Sequence, residues 1–388
     1  MHLTVYIITA ITYAFAGCYV LYIFFFYMGL KKLKVHRLKE DKDLPPLTVI
    51  LCAKDEEEDI ENCLNSIFAQ NYPKEKYSVI AVNDRSEDNT ACILKSYAKK
   101  YDQLKVLHIK TCPTSVSPKK NAITQAMEYC KTEFVVATDA DAIHKTNWLR
   151  TYGSMCNDKL GAATGISLFT KEKYNTAFEY TWQSMQTLEN LSHNVVIAGA
   201  MANGVAIAAN GSNMLYRKTL FLNNKTLRKD IVSGDDSDII FEAQRQGYQV
   251  KFNVHPGSVV KLVPEGSISG VVNQRVRWAS KTLKSTFPVI LLGLTVFFFY
   301  LSTLILPFLA FIDVAVLPYW AGLIIIKAAC DFFYMMVTLK KFQISYKFKH
   351  LFFMEIFHSF FIVWVGLYGT FGTFTWKGSS YKKTLKDK

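Results

Sequence analysis

Four long apolar runs set the limits on what this chain can fold into. Residues 4–30 carry no charged side chain, and 288–312, 314–337 and 351–375 are nearly as apolar. A helix needs about 20 apolar residues to cross a hydrocarbon core about 30 Å thick, so each run is a membrane candidate. A cleaved leader is the other reading of the first run, and Ala14-Phe15-Ala16 has the small-residue pattern of a cleavage site. However, no Lys or Arg precedes the run, and it continues well past that site, as an uncleaved anchor would. Lys31-Lys32-Leu33-Lys34-Val35-His36-Arg37 follows directly. The positive-inside rule therefore puts the N-terminus outside and the next domain in the cytoplasm.

The net charge of +13 raises the question of nucleic acid, but most of the excess lies in residues 31–43 and 338–388, beside the apolar runs. Basic flanks of this kind set topology and touch anionic membrane lipids, and no nucleic-acid-binding motif is present to compete. The eight cysteines contain no Cys-x-x-Cys pair, which argues for reduced, mostly buried thiols over a disulfide framework or a zinc site. His144, His193 and His255 fit no ligand spacing. One conflict stands at the C-terminus: three full crossings after a cytoplasmic domain would leave Lys382, Lys383, Lys386 and Lys388 outside, against the positive-inside rule. The run 351–375, with Gly366, Gly369 and Gly372, is then either a third crossing or a re-entrant or interfacial segment.

Between the membrane runs, Pro45-Pro46 marks a boundary, and strand-like and helix-like patterns then alternate. Strands are expected at 47–53, 77–82, 105–109 and 134–138, and helices at 57–70, 90–101 and 120–130. Such alternation implies a mostly parallel α/β sheet covered on both faces, whose ligands bind beyond the carboxyl ends of the strands. Asp55 and Glu56, Asp84, and Asp139 with Asp141 all fall at such ends. The small, apolar stretch 199–211 suits a further buried strand with close backbone approaches. The organisation expected is an anchor (1–30), a basic linker (31–43), an α/β domain (44–286) and a C-terminal membrane region (287–388).

About one Asp-x-Asp triplet is expected by chance in a chain of this size, so its context matters. Asp139-Ala140-Asp141 ends an apolar strand; residues two apart on a strand share a face, and hard cations prefer oxygen ligands. Gly234-Asp235-Asp236-Ser237-Asp238 reads plainly as acids capping a helix N-terminus. Gln274-Arg275-Val276-Arg277-Trp278 places phosphate-binding arginines beside an indole; equally, it suits a basic helix anchored at a membrane surface.

Taken together, these segments resemble the family 2 glycosyltransferases, over residues 44 to about 285 and, with the membrane flanks, over the whole chain. Residues 49–57 look like the family's opening strand, with Lys54 and Asp55 departing from its Ala-Arg-Asn-Glu ending; 82–90 matches its Asp-Asp-x-Ser-x-Asp-x-Thr pattern, with Asn83 in place of the first acid. Lys119-Lys120-Asn121-Ala122-Ile123 resembles its Lys-x-x-Ala-Leu segment. The resemblance implies a GT-A fold and inversion at the anomeric carbon. It implies nucleotide-sugar contacts from Glu56, Asp84, Lys119 (with Lys120 as the fallback), Asp139, Gln274, Arg277 and Trp278. Asp84 contacts the donor base in that reading and forms a turn in the other. The resemblance gives Mn2+ or Mg2+ on Asp139 and Asp141, bridging a pyrophosphate, and makes Asp236 the general base. Asp235 and Asn213 then lie on the acceptor side, Asn213 being either a hydroxyl-orienting group or a buried structural amide. Trp376-Lys377-Gly378 also resembles a C-terminal element of bacterial members, with no role that physics assigns.

One anchor and three further segments make a smaller bundle than polymer threading takes. The leading expectation is a transferase of single sugars from a nucleotide-diphosphate donor, with UDP first, to a lipid or lipid-linked acceptor at the cytoplasmic face of the cell (inner) membrane. It needs no obligate protein partner and no nucleic acid. A processive polysaccharide synthase is the alternative, and a catalytically dead nucleotide-binding scaffold the third reading.

Overall fold

The computed structural model describes residues 2–113, 116–170, 174–224, 234–344, 348–376 and 379–381. Lys377 and Gly378 of the C-terminal Trp-Lys-Gly element lie outside the described residues, as do the tail lysines. Helix α1 (His2–Lys32) leads through a basic linker to β1 (Leu47–Ala53), α2 (Ile60–Phe68), β2 (Tyr77–Asp84), α3 (Thr90–Lys100), β3 (Leu104–Ile109), α4 (Pro118–Tyr129) and β4 (Phe134–Asp139). The less regular half follows: β5 (Ile143–His144), α5 (Trp148–Met155), β6 (Leu160–Gly165), β7 (Ser167–Phe169), α6 (Ala177–Ala202), β8 (Met214–Arg217), α7 (Lys218–Leu222), α8 (Asp235–Arg245), β9 (Gln249–Asn253), β10 (Val260–Leu262) and α9 (Ile268–Ala279). The chain closes with α10 (Phe287–Leu309), α11 (Val316–Phe342), α12 (Phe348–Phe371) and a hairpin of β11 (Phe374–Trp376) and β12 (Ser379–Tyr381).

The main sheet has the order β3-β2-β1-β4-β8-β6-β9. It is parallel from β3 through β4, while β8 runs antiparallel to both its neighbours. Strand alternation divides two buried faces. Ile50, Ile80, Val82 and Val135 point into one core, and Val49, Leu51, Val79, Ala81 and Val136 into the other. Both faces are covered, which is why these strands read as continuous apolar runs. The first core continues through α6 into the membrane helices, so sheet and bundle share packing.

Strands fall where the sequence expects them, but α2 begins at Ile60, later than expected. The residues before it are committed to a neighbouring loop: the Glu56 N–H donates to Thr90 Oγ1 at 2.9 Å and the Glu57 N–H to Asp88 Oδ2 at 2.9 Å. The expected strand over 199–211 is overturned, because α6 runs through Ala202 and irregular backbone follows. Its small residues serve a helix crossing: a Cβ on Gly29 would collide with the Gly199 carbonyl oxygen, and one on Gly199 would stand 2.6 Å from that of Phe26. Gly29→Val is therefore expected to lower the thermal midpoint of the solubilised protein, overpacking of this kind costing about 1–3 kcal/mol. Scanning fluorimetry measures it.

Among the described residues, four helices are long and apolar enough to cross a membrane: Val5–Lys32, Phe287–Leu309, Val316–Phe342 and Lys349–Phe371. The last packs both on α10 and on helices of the α/β domain. Near its start the His350 ring lies 5.1 Å from that of Tyr180 on α6, and near its end a Cβ on Gly369 would stand 2.9 Å from the Ala279 Cβ on α9. β11 then packs on α9. The cysteines are all free, as expected, but only Cys63, Cys130 and Cys156 are buried; Cys18 and Cys92 are exposed.

Candidate active site

The acidic strand ends converge. Glu56, Asp84, Lys119, Asp139, Asp141, Asp235, Asp236, Gln274, Arg277 and Trp278 all line one cavity of about 1370 Å³. Of the site residues expected from the sequence, Asn213 and the fallback Lys120 do not line it.

At one corner β4 ends at Asp139, and Asp141 lies in the turn beyond it. Strand alternation therefore does not bring the two carboxylates together, contrary to the sequence reading; the tight turn does, closed by the Ala142 N–H on the Asp139 carbonyl at 3.3 Å. Burial, then Asp139, then Glu56 push the Asp141 carboxyl up to about 7. So much like charge in one corner is costly until a cation neutralises it, which makes Asp139 and Asp141 a fitting oxygen donor set for a hard divalent ion. Lys119 Nζ donates to Asp139 Oδ1 at 2.7 Å; burial opposes its charge, but Asp139 and Asp235 outweigh it and hold the ammonium above its ordinary value. Lys120, the fallback, is 1% exposed and lies 3.6 Å from Asp238 Oδ2 beneath α8, out of the cavity. Asp84 is buried and accepts from Arg85 Nε at 2.8 Å.

Across the cavity, Gly234 turns the chain into α8 at φ +102°, a conformation in which side-chain-bearing residues are strained. Asp236 is in the first turn; its Oδ1 accepts from the Ser237 N–H at 2.7 Å. Its Oδ2 faces Gly211, where a Cβ would stand 3.4 Å away. Two cations attend this carboxylate. Burial pulls Arg277 below its ordinary value against Asp139, Asp236, Glu265 and Asp235, and burial likewise lowers Lys281 against Asp236. Sequence reasoning missed Lys281, which follows the end of α9 at Ala279 and lies outside the Gln274–Trp278 motif.

The helix carrying Gln274 to Trp278 is held from below. Glu189 on α6 accepts from Arg275 Nε at 2.9 Å, and also from Nη2. Burial opposes the Glu189 charge, but Arg275 and then His193 hold its carboxyl below the usual value. The Arg275 guanidinium lies 4.6 Å from the Trp278 ring centre, and the His193 ring meets that indole edge-on at 6.0 Å. Arg275 and Glu189 thus position Trp278, while Arg277 faces the cavity. Glu189 sits in a stretch of α6 with no motif to mark it.

Asn213 requires a correction: it is 0% exposed, with its amide fully committed. Its Oδ1 accepts from Trp148 Nε1 at 2.9 Å and Tyr152 Oη at 2.8 Å, and its Nδ2 donates to the Ile166 and Ser258 carbonyls at 2.8 and 2.9 Å. It is the structural amide, not an acceptor-orienting group. Asn213→Ala is expected to destabilise the fold by about 3 kcal/mol or more, since each orphaned buried group costs about 1–3 kcal/mol. The protein that remains folded should keep its acceptor KM, which kinetics on the heat-cleared fraction tests. The three histidines hold structural roles; His144, for one, bridges Ser66 and Thr138 at 2.8 Å each.

The Glycosyltransferase like family 2 model matches residues 45–281. The chain is 25% identical over 262 residues to a poly-beta-1,6-N-acetyl-D-glucosamine synthase of Staphylococcus epidermidis, covering 66% of this chain and 60% of that protein. It is 26% identical over 212 residues to glycosyltransferase AglE of Haloferax volcanii, covering 54% of this chain and 64% of that protein. It thus spans under two thirds of the length of either relative. Among solved structures, the mannosyltransferase PcManGT from Pyrobaculum calidifontis, in complex with GDP-Man and Mn2+, superposes with a TM-score of 0.59 at 17% identity, covering 93% of this chain and 98% of that one. At that identity the likeness is one of fold, the GT-A arrangement.

Proposed function

The chain belongs to the family 2 glycosyltransferases, and on that premise we propose that it moves a single sugar from a nucleoside-diphosphate sugar to a lipid or lipid-linked acceptor, with inversion, at the cytoplasmic face of a membrane. The observation that carries this is the placement of Asp236 and Arg277 in one cavity with Asp139 and Asp141, a cavity that continues into the membrane helices past Val296 and Ile362.

In this reading Glu56, Asp84 and Lys119 hold the nucleotide along the strand ends. Asp139 and Asp141 hold a divalent cation, which when bound supplies positive charge to the donor's diphosphate. Asp236 takes the proton of the acceptor hydroxyl as its oxygen attacks the anomeric carbon from the face opposite the diphosphate. Arg277 and Lys281 offset the charge that gathers on the leaving diphosphate, and Gln274 and Trp278 close the site. One base and one displacement give inversion. The cation in the PcManGT complex supports the metal corner by likeness of fold.

Topology fits the reading as far as α11. Two crossings, α10 and α11, return the chain to the cytoplasmic side, where Lys340 and Lys341 end α11.

A carboxyl at about 7 must lose its proton to bind a cation, so Mn2+ affinity should fall as pH drops below about 7 and level off above it. The slope should approach tenfold per pH unit, for one proton released; isothermal titration across pH measures it. The function itself is tested by release of nucleoside diphosphate from a panel of UDP- and GDP-sugars. Release that needs both Mn2+ and added lipid supports the reading, and release indifferent to lipid counts against it. The similarity to a poly-N-acetylglucosamine synthase favours, as second reading, a processive synthase.

A further inference from the structure

The catalytic cavity ends on a polar floor among the membrane helices, formed by Tyr19, Tyr300, Asp331 and His358. Lys327 Nζ donates to Asp331 Oδ2 at 2.9 Å and to Glu355 Oε1 at 2.5 Å, and lies 4.7 Å from the Tyr300 ring centre. The Tyr19 hydroxyl donates to Asp331 Oδ1. One ammonium therefore serves two carboxyl groups. Ligand atoms of Asp331, Glu355 and His358 come within 4.8 Å of one another, and His358 Nδ1 is closed off from solvent with no hydrogen-bond partner.

Ionisable groups inside a membrane are costly, and they mark pathways and binding sites. A divalent cation is a poor occupant, because Lys327 already bridges Asp331 and Glu355. A lipid phosphate is worse, since it would meet two carboxyl groups whose cationic partner, Lys327, is already engaged by both. A group that donates hydrogen bonds fits: a carboxylate oxygen of Asp331 can accept one beyond those from Tyr19 and Lys327, and the unpartnered His358 Nδ1 another in its acceptor tautomer. The floor is also close beneath the arginine-tryptophan motif. Tyr334, three residues along α11 from Asp331, donates to the Val195 carbonyl at 2.9 Å, and two residues back along α6 His193 packs on Trp278.

We propose that this floor binds the head of the acceptor, and that the acceptor is an uncharged lipid whose head carries hydroxyl or amide donors, not a lipid phosphate. The inference rests on the reading of the chain as a lipid glycosyltransferase. The test uses the full chain in nanodiscs with Mn2+ and a panel of nucleotide sugars. A total lipid extract split by anion exchange into uncharged and anionic pools is offered as acceptor, with dioleoylglycerol and undecaprenyl phosphate as defined probes. Transfer to the uncharged pool alone is expected. Transfer to the anionic pool or to undecaprenyl phosphate overturns the inference and leaves the lipid-transferase reading standing, whereas transfer to neither pool overturns both. Asp331→Asn should raise the KM for lipid about tenfold, the loss of about one hydrogen bond, with donor KM unchanged. His358→Gln is the second variant should Asp331→Asn fail to fold; an unchanged lipid KM in whichever variants fold removes the floor from the acceptor site.

Discussion

Asp236→Asn is expected to lower kcat by about 10²–10⁴-fold, the usual contribution of a positioned general base, while donor and Mn2+ affinities stay near wild type. The substitution is nearly isosteric, and the retained Oδ1 can still accept from the Ser237 N–H that now holds it at 2.7 Å, so α8 keeps its start. What is lost is the charge on Oδ2, the oxygen that faces Gly211 across the cavity. Donor binding by titration and single-turnover transfer separate the two effects. Wild-type transfer by Asp236→Asn would refute the assignment of the base, whatever became of binding.

Asp141→Asn should cost about 10²–10³-fold in turnover, the scale of losing a charge aimed at a developing anion, and it should abolish the response to added Mn2+. Its effect on stability has the opposite sign. Wild-type Asp141 is pushed up to about 7 by burial and by Asp139 and Glu56, so ionising it works against the fold. The metal-free variant is therefore expected to melt higher than wild type. That gain should be absent in acid, where both side chains are neutral, grow as pH rises from the ordinary carboxylate range to about 7, and stay constant above. Melting curves against pH without metal, paired with activity against Mn2+, measure both. A variant that is less stable at every pH would mean that Asp139, Asp141 and Glu56 do not crowd one another.

The strand ends were legible because a parallel sheet buried on both faces imposes continuous apolar runs, and three of the four expected runs stop at an acid or just short of one. Ala53 precedes Lys54 to Glu56, Val82 precedes Asp84, and Thr138 precedes Asp139. Motif order then placed Asp236 and Arg277 in the same cavity. What the sequence concealed were features set by contacts distant in the chain. Asn213 could orient a hydroxyl as well as any amide, and only the arrival of Trp148, Tyr152, Ile166 and Ser258 commits it to the core. The 199–211 stretch has the small residues of a close approach, but nothing local says that α1 is the neighbour. Glu189, with no motif around it, is explained only by the arginine it meets 86 positions later.

The central claim, transfer of one sugar to a lipid, is tested most directly by mass spectrometry of the lipid products formed by the purified full-length protein with Mn2+, its preferred nucleotide sugar and a total lipid extract. The expected result is a single mass increment of one sugar residue on a lipid. A ladder of increments at early times, or product sugar free of lipid, would contradict it.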